Sequence, residues 1–348
     1  MPPFATNNLP LCESLINLKI VLEFFRSNTL FSIIGLVLFT ILIRLATFFV
    51  PTPFEIELHT PFAQVVFDWL KDHQLFSFQN QFLATTLILT QALLINYISS
   101  SHDILYKNSV LPGLFYVLLN SIYTSQLQLS PQLLSATFVI LMFNRLCYLY
   151  ESTQPLFLVF DSGILLGLGL LLDYDMIVYL PFILLSVLYM TSFNLRYWLV
   201  ALFGIIVPAY FLGVLFYLTD HLNDFLHSFE FSFTKSYYHP IGMNYKEGII
   251  WFFIAPAFAL SALALQSNFF KNKVKTRRVQ LILLVLLLFG IISVLAENQG
   301  YIYGLAFLSI PLSLILANYF IRSKRKIFKE ILFFGMLGSI IYYHYLSK

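Results

Sequence analysis

The segment LFSIIGLVLFTILIRLATFFV at residues 30–50, followed by PTPFEIELHT at residues 51–60, decides the fold class. Crossing a bilayer as an α-helix takes about 20 mostly apolar residues, and the first segment has that length. Its one charged side chain is Arg44. The second segment becomes polar at Pro51 and Pro53, so the pair is typical of a membrane helix that ends in a loop.

The composition extends this interpretation to the whole chain of 348 residues. Hydrophobic residues make up 59% and charged residues 11%, whereas soluble domains carry roughly 25% charged residues. So few charges leave too little polar surface for a water-soluble globule. The composition therefore excludes a soluble enzyme, a disordered protein and a nucleic-acid binder, and it indicates an integral membrane protein.

Ten further apolar runs are long enough to be candidate spans. We therefore predict an all-α membrane protein with about eleven transmembrane helices in a single domain, residues 1–348, although the pair at 155–192 could also form one re-entrant unit. The first 29 residues lack the apolar core and cleavage site of a signal peptide, so the first span is expected to remain as an anchor. The eleven runs lie at about 30–50, 83–99, 109–125, 131–149, 155–172, 176–192, 195–219, 248–266, 279–296, 300–321 and 328–346.

The charges alternate between successive loops. With residues 1–29 inside, 15 of the 20 basic residues fall in inner loops and 11 of the 17 acidic residues fall in outer loops. Because cytoplasmic loops are enriched in Lys and Arg, we predict a cytoplasmic N-terminus, a periplasmic C-terminus and a bacterial inner-membrane location. The longest outer loops are then residues 51–82 and 220–247.

The first outer loop carries Glu55 and Glu57. Side chains two residues apart project from one face of an extended chain, so this pair could hold a divalent cation or share a proton so that one acts as a general base. A solvated acidic turn is the alternative.

Next to this acidic pair the sequence predicts an amphipathic helix at residues 61–72. Thr60-Pro61 is a helix start with a capping hydroxyl and a proline at the first position. Apolar residues follow at helical spacing, Trp69 among them, with polar residues on the other face. Such a helix lies in the membrane interface, where it either guides a lipid-linked substrate or covers the surface passively.

The second outer loop contains His221, Asp224 and His227, spaced by three residues. On a helix these side chains would share roughly one face and could reach a metal ion, but solvated loop residues are the alternative. No nucleotide-binding loop, dinucleotide fingerprint or zinc-protease motif occurs in the chain.

Ionisable residues inside the predicted spans are few and so point to function or to pairing. Arg145 and Asp161 are expected to form a buried structural pair. Arg44, in the outer half of the first span, either extends to the interface or neutralises the phosphate of a lipid held beside Glu55 and Glu57.

This arrangement resembles the GT-C superfamily, multi-pass glycosyltransferases that use polyprenyl-phosphate sugars. The resemblance places the first span at 30–50, the essential outer-loop carboxylate at Glu55 or Glu57, and the interfacial helix at 61–72. The stretch from Glu297 to Pro311, with Tyr301 and Tyr303, is similar to late spans of the superfamily that begin with an aromatic residue. The sequence departs from the superfamily in its Glu-Ile-Glu spacing and in lacking a basic residue near Tyr301.

Three further segments resemble an uncharacterised family of Bacteroidota inner-membrane proteins. They are FNRLCYLY at 143–150, FDSG at 160–163 and ILANYF at 315–320. A carotene-oxygenase name is used for some members. That chemistry implies four histidines around iron in a β-propeller, whereas this chain is predicted to be helical, with six of its seven histidines in outer loops or at the outer end.

The leading hypothesis is therefore sugar transfer at the outer face. It assigns Glu55 and Glu57 to catalysis, and it assigns Arg44, Trp69, Tyr301 and Tyr303 to substrate binding. The expected partners are membrane lipids and a polyprenyl-phosphate sugar, with a divalent cation as a possible cofactor. The alternatives are a non-enzymatic scaffold for envelope assembly and a lipid or solute transporter, which the sparse polar residues of the spans disfavour.

Overall fold

The computed structural model describes residues 22–49, 60–72, 78–191, 193–220, 245–296, 301–323 and 326–346. Helices and turns make up these ranges, which contain no β-strand. This confirms the all-α prediction. In chain order the α-helices are α1 Leu30–Phe49, α2 Pro61–Asp72, α3 Phe78–Ser101, α4 Leu111–Leu119, α5 Pro131–Cys147, α6 Pro155–Leu172, α7 Leu180–Met190, α8 Leu195–Leu218, α9 Tyr245–Asn268, α10 Val274–Ala296, α11 Tyr301–Arg322 and α12 Lys326–Ile341.

Seven helices of the described ranges are long and apolar enough to cross a membrane. The chain is therefore a multi-pass membrane protein. Each of the eleven predicted runs coincides with a helix, but the count of about eleven spans is not confirmed, since only seven described helices meet the length and hydropathy expected of a span. The seven candidate spans lie in α3, α5, α6, α8, α9, α10 and α11.

The predicted span at 109–125 is interrupted. Helix α4 has only nine residues, all buried, and residues 120–130 continue as turns around a short 3₁₀ helix, Thr124–Leu127. Helix formation resumes at Pro131, where the Ser130 hydroxyl accepts a hydrogen bond from the Leu133 N–H. Non-helical backbone at membrane depth is tolerated only where protein covers it, and nearly every described side chain of this segment is buried.

Helix α11 forms the centre of the bundle. Of the span that it contains, 94% is buried inside the protein, and it packs against α4, α5, α9 and α10. A helix that is apolar all round is one that its neighbours enclose.

Helix α8 lies at the periphery, where it packs chiefly on α6. Glycines allow a close approach: a Cβ atom at Gly163 would lie 2.3 Å from the Ala201 carbonyl oxygen, and one at Gly204 would lie 2.6 Å from that of Phe160. Small residues serve this purpose in membrane helix pairs. The outward side of α8 exposes large apolar side chains such as Phe203 and Phe211.

The turns predicted to be cytoplasmic meet at one end of the bundle, which we call the basic face. The Val110 N–H donates to the Phe25 carbonyl, and Arg26 Nη2 donates to the Ile321 carbonyl at 2.8 Å. Buried His102 contacts Asn144 at 2.9 Å. The described cations of this face are Arg26, Lys107, Arg145, Arg196, Lys271, Lys273, Lys275, Arg277, Arg278, Arg322 and Lys329.

The opposite end gathers residues that the sequence places in outer loops, and we call it the acidic face. Contacts of Arg44 with residues 120–126, and of Thr60 with Leu172, join these turns. The charge alternation of the sequence therefore corresponds to two distinct ends of the bundle.

Candidate functional site

The interrupted segment after α4 is held by Arg44 of α1. The Arg44 side chain is fully buried. Its Nη2 donates to the carbonyl oxygens of Asn120 at 2.9 Å and Gln126 at 3.0 Å, and its Nε donates to Ser121 Oγ at 3.4 Å. A helix that ends leaves carbonyl oxygens without intrahelical donors, and one guanidinium supplies donors to two of the carbonyls in this segment.

Other helices contribute further polar contacts to the same segment. His344 Nε2 lies 2.8 Å from the Ser121 carbonyl oxygen, and Gln126 Nε2 donates to the Ile302 carbonyl at 3.1 Å. Asn120 Nδ2 donates to Ser309 Oγ at 2.7 Å. The segment is thus tied to α11 and to the turn after α12.

The polar contacts continue deeper into the bundle. Tyr116 donates its hydroxyl proton to Gln91 Oε1 at 2.8 Å, and Gln91 Nε2 donates to the Leu133 carbonyl and to Thr137 Oγ1. The side-chain oxygens Asn120 Oδ1 and Gln126 Oε1 are buried and accept no hydrogen bond from any residue that the structure describes. Buried acceptors of this kind usually bind ordered water or a ligand.

Asp173, at the acidic-face end of α6, is a buried carboxyl group. One of its oxygens, Oδ1, accepts a hydrogen bond from the Asp175 N–H at 3.2 Å, whereas Oδ2 is enclosed and accepts none within the described ranges. Burial, with a smaller contribution from the charge of Asp175, raises the pKa of Asp173 to about 8. A carboxyl group with such a pKa is mostly protonated at pH 7 and keeps a minor ionised fraction, so it can exchange a proton near neutral pH.

Helix α2 begins beside Asp173. Thr60 donates its hydroxyl proton to the Leu172 carbonyl at 3.1 Å and accepts from the Ala63 N–H at 3.2 Å, which confirms the predicted helix cap. The protein covers Ala63 and Phe67, whereas Trp69 is 57% exposed. The described side chains of α2 therefore divide between one face against α6 and another turned outward.

Comparison with known proteins defines the family. Residues 52–348 match the model for a family of unknown function, DUF6427. The chain belongs to this family. No curated protein matches the sequence.

One solved structure resembles this DUF6427 chain, the archaeal oligosaccharyltransferase AglB from Archaeoglobus fulgidus in complex with an inhibitory peptide and a dolichol-phosphate. The TM-score is 0.45 at 13% sequence identity, over 96% of this chain and 55% of the other. The DUF6427 chain thus spans about half the length of that protein.

The structure of the DUF6427 chain describes only some of the predicted site residues. Glu55 and Glu57, the catalytic candidates, lie outside the described residues, as do the metal candidates His221, Asp224 and His227. The side chain of Tyr301 is likewise outside, and Tyr303 is half-buried near the start of α11. Within the described ranges, no group of three His, Cys, Asp or Glu side chains could hold a metal ion.

Arg44 and Trp69 are both placed. Arg44 does not extend to the interface, because its whole side chain is enclosed and donates to the chain around residues 120–126. A contact between Arg44 and a lipid phosphate would require that segment to move. Trp69 lies on the outward side of α2.

The predicted pair of Arg145 and Asp161 forms, with Arg145 Nε 3.6 Å from Asp161 Oδ2. The prediction that this pair is buried is wrong, because the side chains are 48% and 39% exposed. Arg145 lies near the end of α5 and Asp161 near the start of α6, so the pair lies toward the basic face. The acidic face lies at the opposite ends of these two helices.

Proposed function

We propose that this protein is a GT-C-like glycosyltransferase that takes its sugar from a polyprenyl-phosphate carrier at the outer face of the bacterial inner membrane. In this proposal the basic face is cytoplasmic, the N-terminus lies inside, and the acidic face and the C-terminus are periplasmic. The observation that carries it is the buried carboxyl group of Asp173 beside the start of helix α2.

The chemistry of sugar transfer requires a proton acceptor at the outer face. As an acceptor hydroxyl attacks the anomeric carbon, the bond from that carbon to the phosphate oxygen breaks and the polyprenyl phosphate leaves. The hydroxyl proton passes to a general base, whose pKa is best matched to the working pH. Asp173 has this property, and we assign the proton transfer to it or to Glu55 or Glu57.

The lipid part of the substrate is assigned to helix α2. Its exposed Val65 and Trp69 suit contact with acyl or prenyl chains, since amphipathic helices bury such faces at the headgroup boundary. Glu55 and Glu57, which precede α2 in the sequence, are proposed as ligands of a divalent cation that neutralises the carrier phosphate. Tyr301 and Tyr303 are proposed to contact the sugar, and Arg44 to position the 120–126 segment.

The test is a set of carboxyl-to-amide substitutions. We expect Asp173→Asn, Glu55→Gln or Glu57→Gln to abolish a cell-envelope glycan, or sugar transfer by purified protein, with normal membrane insertion. Asp220→Asn is the matched control, because Asp220 is an exposed acid at the end of α8 and should tolerate the change. Normal glycosylation in all three site variants contradicts the assignment, and co-purification of stoichiometric partners would then favour a scaffold.

A transporter is a second candidate, favoured by the buried polar side chains around the interrupted segment. The interior contains Gln91, Asn120, Gln126 and Ser309, so polar groups are less sparse than the sequence indicated. Discontinuous helices form binding sites in many transporters. Flux of lipid or solute across proteoliposomes that Asn120→Leu abolishes, with no glycan defect in Asp173→Asn, would support this function instead.

A further inference from the structure

Several described arginines and lysines of the basic face have defined roles in the fold. Arg26 donates to the Ile321 carbonyl and Lys329 to the Phe320 carbonyl, so both neutralise the carboxyl end of α11. Lys275 pairs with Glu151 at 2.6 Å. Arg278 donates to the Met190 carbonyl at 2.9 Å and lies over the Tyr150 ring.

Arg277 and Arg322 differ from these. The Arg277 side chain makes no hydrogen bond or ion pair with any described residue, and its Nε–H is enclosed without an acceptor. Arg322 makes one side-chain hydrogen bond, from Nη2 to Asn272 Oδ1 at 3.1 Å, and its Nε–H also lacks an acceptor. Both side chains are half-buried, so each retains a solvent-accessible part.

A polar bridge connects Arg322 to the start of α10, the helix that also carries Arg277. Asn272 donates to Gln280 Oε1 at 3.0 Å while it accepts from Arg322. Arg277 lies one turn before Gln280 on α10, and residues three apart share a helix face. The exposed ring of Tyr106 lies 5.6 Å from the Arg322 guanidinium carbon.

We infer that Arg277 and Arg322 form a binding site for the phosphodiester headgroup of an anionic phospholipid, with Tyr106 at its rim. Arginine is suited to phosphate because its planar guanidinium offers paired donors. Basic pockets between the ends of membrane helices recognise anionic lipid headgroups, and tyrosine is enriched at that depth of the bilayer. The carboxylate of Glu151 does not compete, since Lys275 neutralises it.

Arg277→Gln is the variant that tests the site without disturbing the fold, because the Arg277 side chain contributes no described hydrogen bond. Native mass spectrometry of the full-length protein in detergent measures binding of added phosphatidylglycerol. We expect Arg277→Gln to weaken this binding roughly fivefold, the effect of about one interfacial cation. Arg196→Gln, which removes an exposed cation from the same face, should change it less than twofold.

Two further binding measurements identify the ligand. Phosphatidylcholine should bind weakly and equally to the parent and both variants, and millimolar inorganic phosphate should not displace phosphatidylglycerol. Unchanged phosphatidylglycerol binding in Arg277→Gln, or an equal loss in Arg196→Gln, overturns the site. Displacement by inorganic phosphate overturns the assignment to a lipid.

Discussion

Arg44 and Asn120 lie 76 residues apart in the sequence, yet Arg44 Nη2 donates to the Asn120 carbonyl oxygen at 2.9 Å inside the bundle. The same nitrogen donates to the Gln126 carbonyl at 3.0 Å. The only charged side chain of the apolar run at residues 30–50 therefore stabilises the point at which another apolar run stops being helical.

Replacing Arg44 should destabilise the fold. Each buried hydrogen bond from a charged donor contributes roughly 1.5–3 kcal/mol, so we expect Arg44→Gln to lower the free energy of unfolding by about 3 kcal/mol or more. Arg44→Lys should lower the free energy of unfolding by less, because lysine keeps the positive charge. Some loss should remain, because the ammonium group is a smaller donor than the guanidinium. Denaturation in detergent measures both, with Arg196→Gln as the control, and equal stability of Arg44→Gln and this control would contradict the structural role.

Asp173→Asn should stabilise the protein at neutral and alkaline pH. Burial raises the pKa of Asp173 from 3.8 to about 8, so the folded state holds this proton more tightly than the unfolded chain does. Stability from this group is complete below pH 3.8 and is lost as the pH rises toward 8. The variant should therefore gain on the parent over that window, by several kcal/mol near pH 8.

The check on this prediction is the midpoint of thermal unfolding, followed from pH 5 to pH 8 for parent, Asp173→Asn and Asp220→Asn. A gain in stability that accompanies loss of sugar transfer would mark Asp173 as a residue retained for function. A parallel pH dependence for parent and Asp173→Asn would show that the pKa of Asp173 is not raised in the folded protein.

Gly163→Ala should disrupt the contact between α6 and α8. The added Cβ would lie 2.3 Å from the Ala201 carbonyl oxygen, so the helices must separate at a cost of about 1–3 kcal/mol. Gly338→Ala is the matched control, since no described atom outside the neighbouring turns of its own helix lies within 4 Å of that added atom. Unfolding in detergent compares the two, and similar stabilities would show that the close approach is not needed.

The two faces should react differently with a reagent that cannot cross the membrane. In a Cys12→Ser background, Asp220→Cys should be labelled by an impermeant maleimide in intact spheroplasts, and Lys273→Cys only after lysis, because these positions lie on opposite faces. The native Cys147 is buried and should not interfere. Labelling of position 273 in intact spheroplasts would show that the basic face is periplasmic, which contradicts the proposed orientation.

Helix α2 and the two faces could be predicted because their signals are local. Thr60 and Pro61 mark a helix start within two residues, and the structure begins α2 there. The pattern of basic and acidic loops depends only on which run each charge follows. The contact of Arg145 with Asp161 was also foreseeable, since few other charges were available inside the spans.

The interruption after α4 and the role of Arg44 could not be predicted in the same way. Apolar residues run from 110 to 119, and only the polar residues clustered at 120–130 indicate that the helix stops. The donor that makes the stop tolerable is Arg44, which lies 76 residues from Asn120 and 82 residues from Gln126. The burial of Asp173 is equally non-local, since it results from packing that periodicity does not encode.

The distance in sequence between Arg44 and its acceptors has a consequence for biogenesis. Ribosomes add roughly 5–20 residues per second, so α1 leaves the ribosome several seconds before Asn120 and Gln126 are synthesised. During that interval the guanidinium has none of these carbonyl partners, and a bare arginine is costly in hydrocarbon. The first helix must therefore wait within the insertion machinery or near the lipid headgroups. The hydrogen bonds of Arg44 can form only after α4 and the segment that follows it have been inserted.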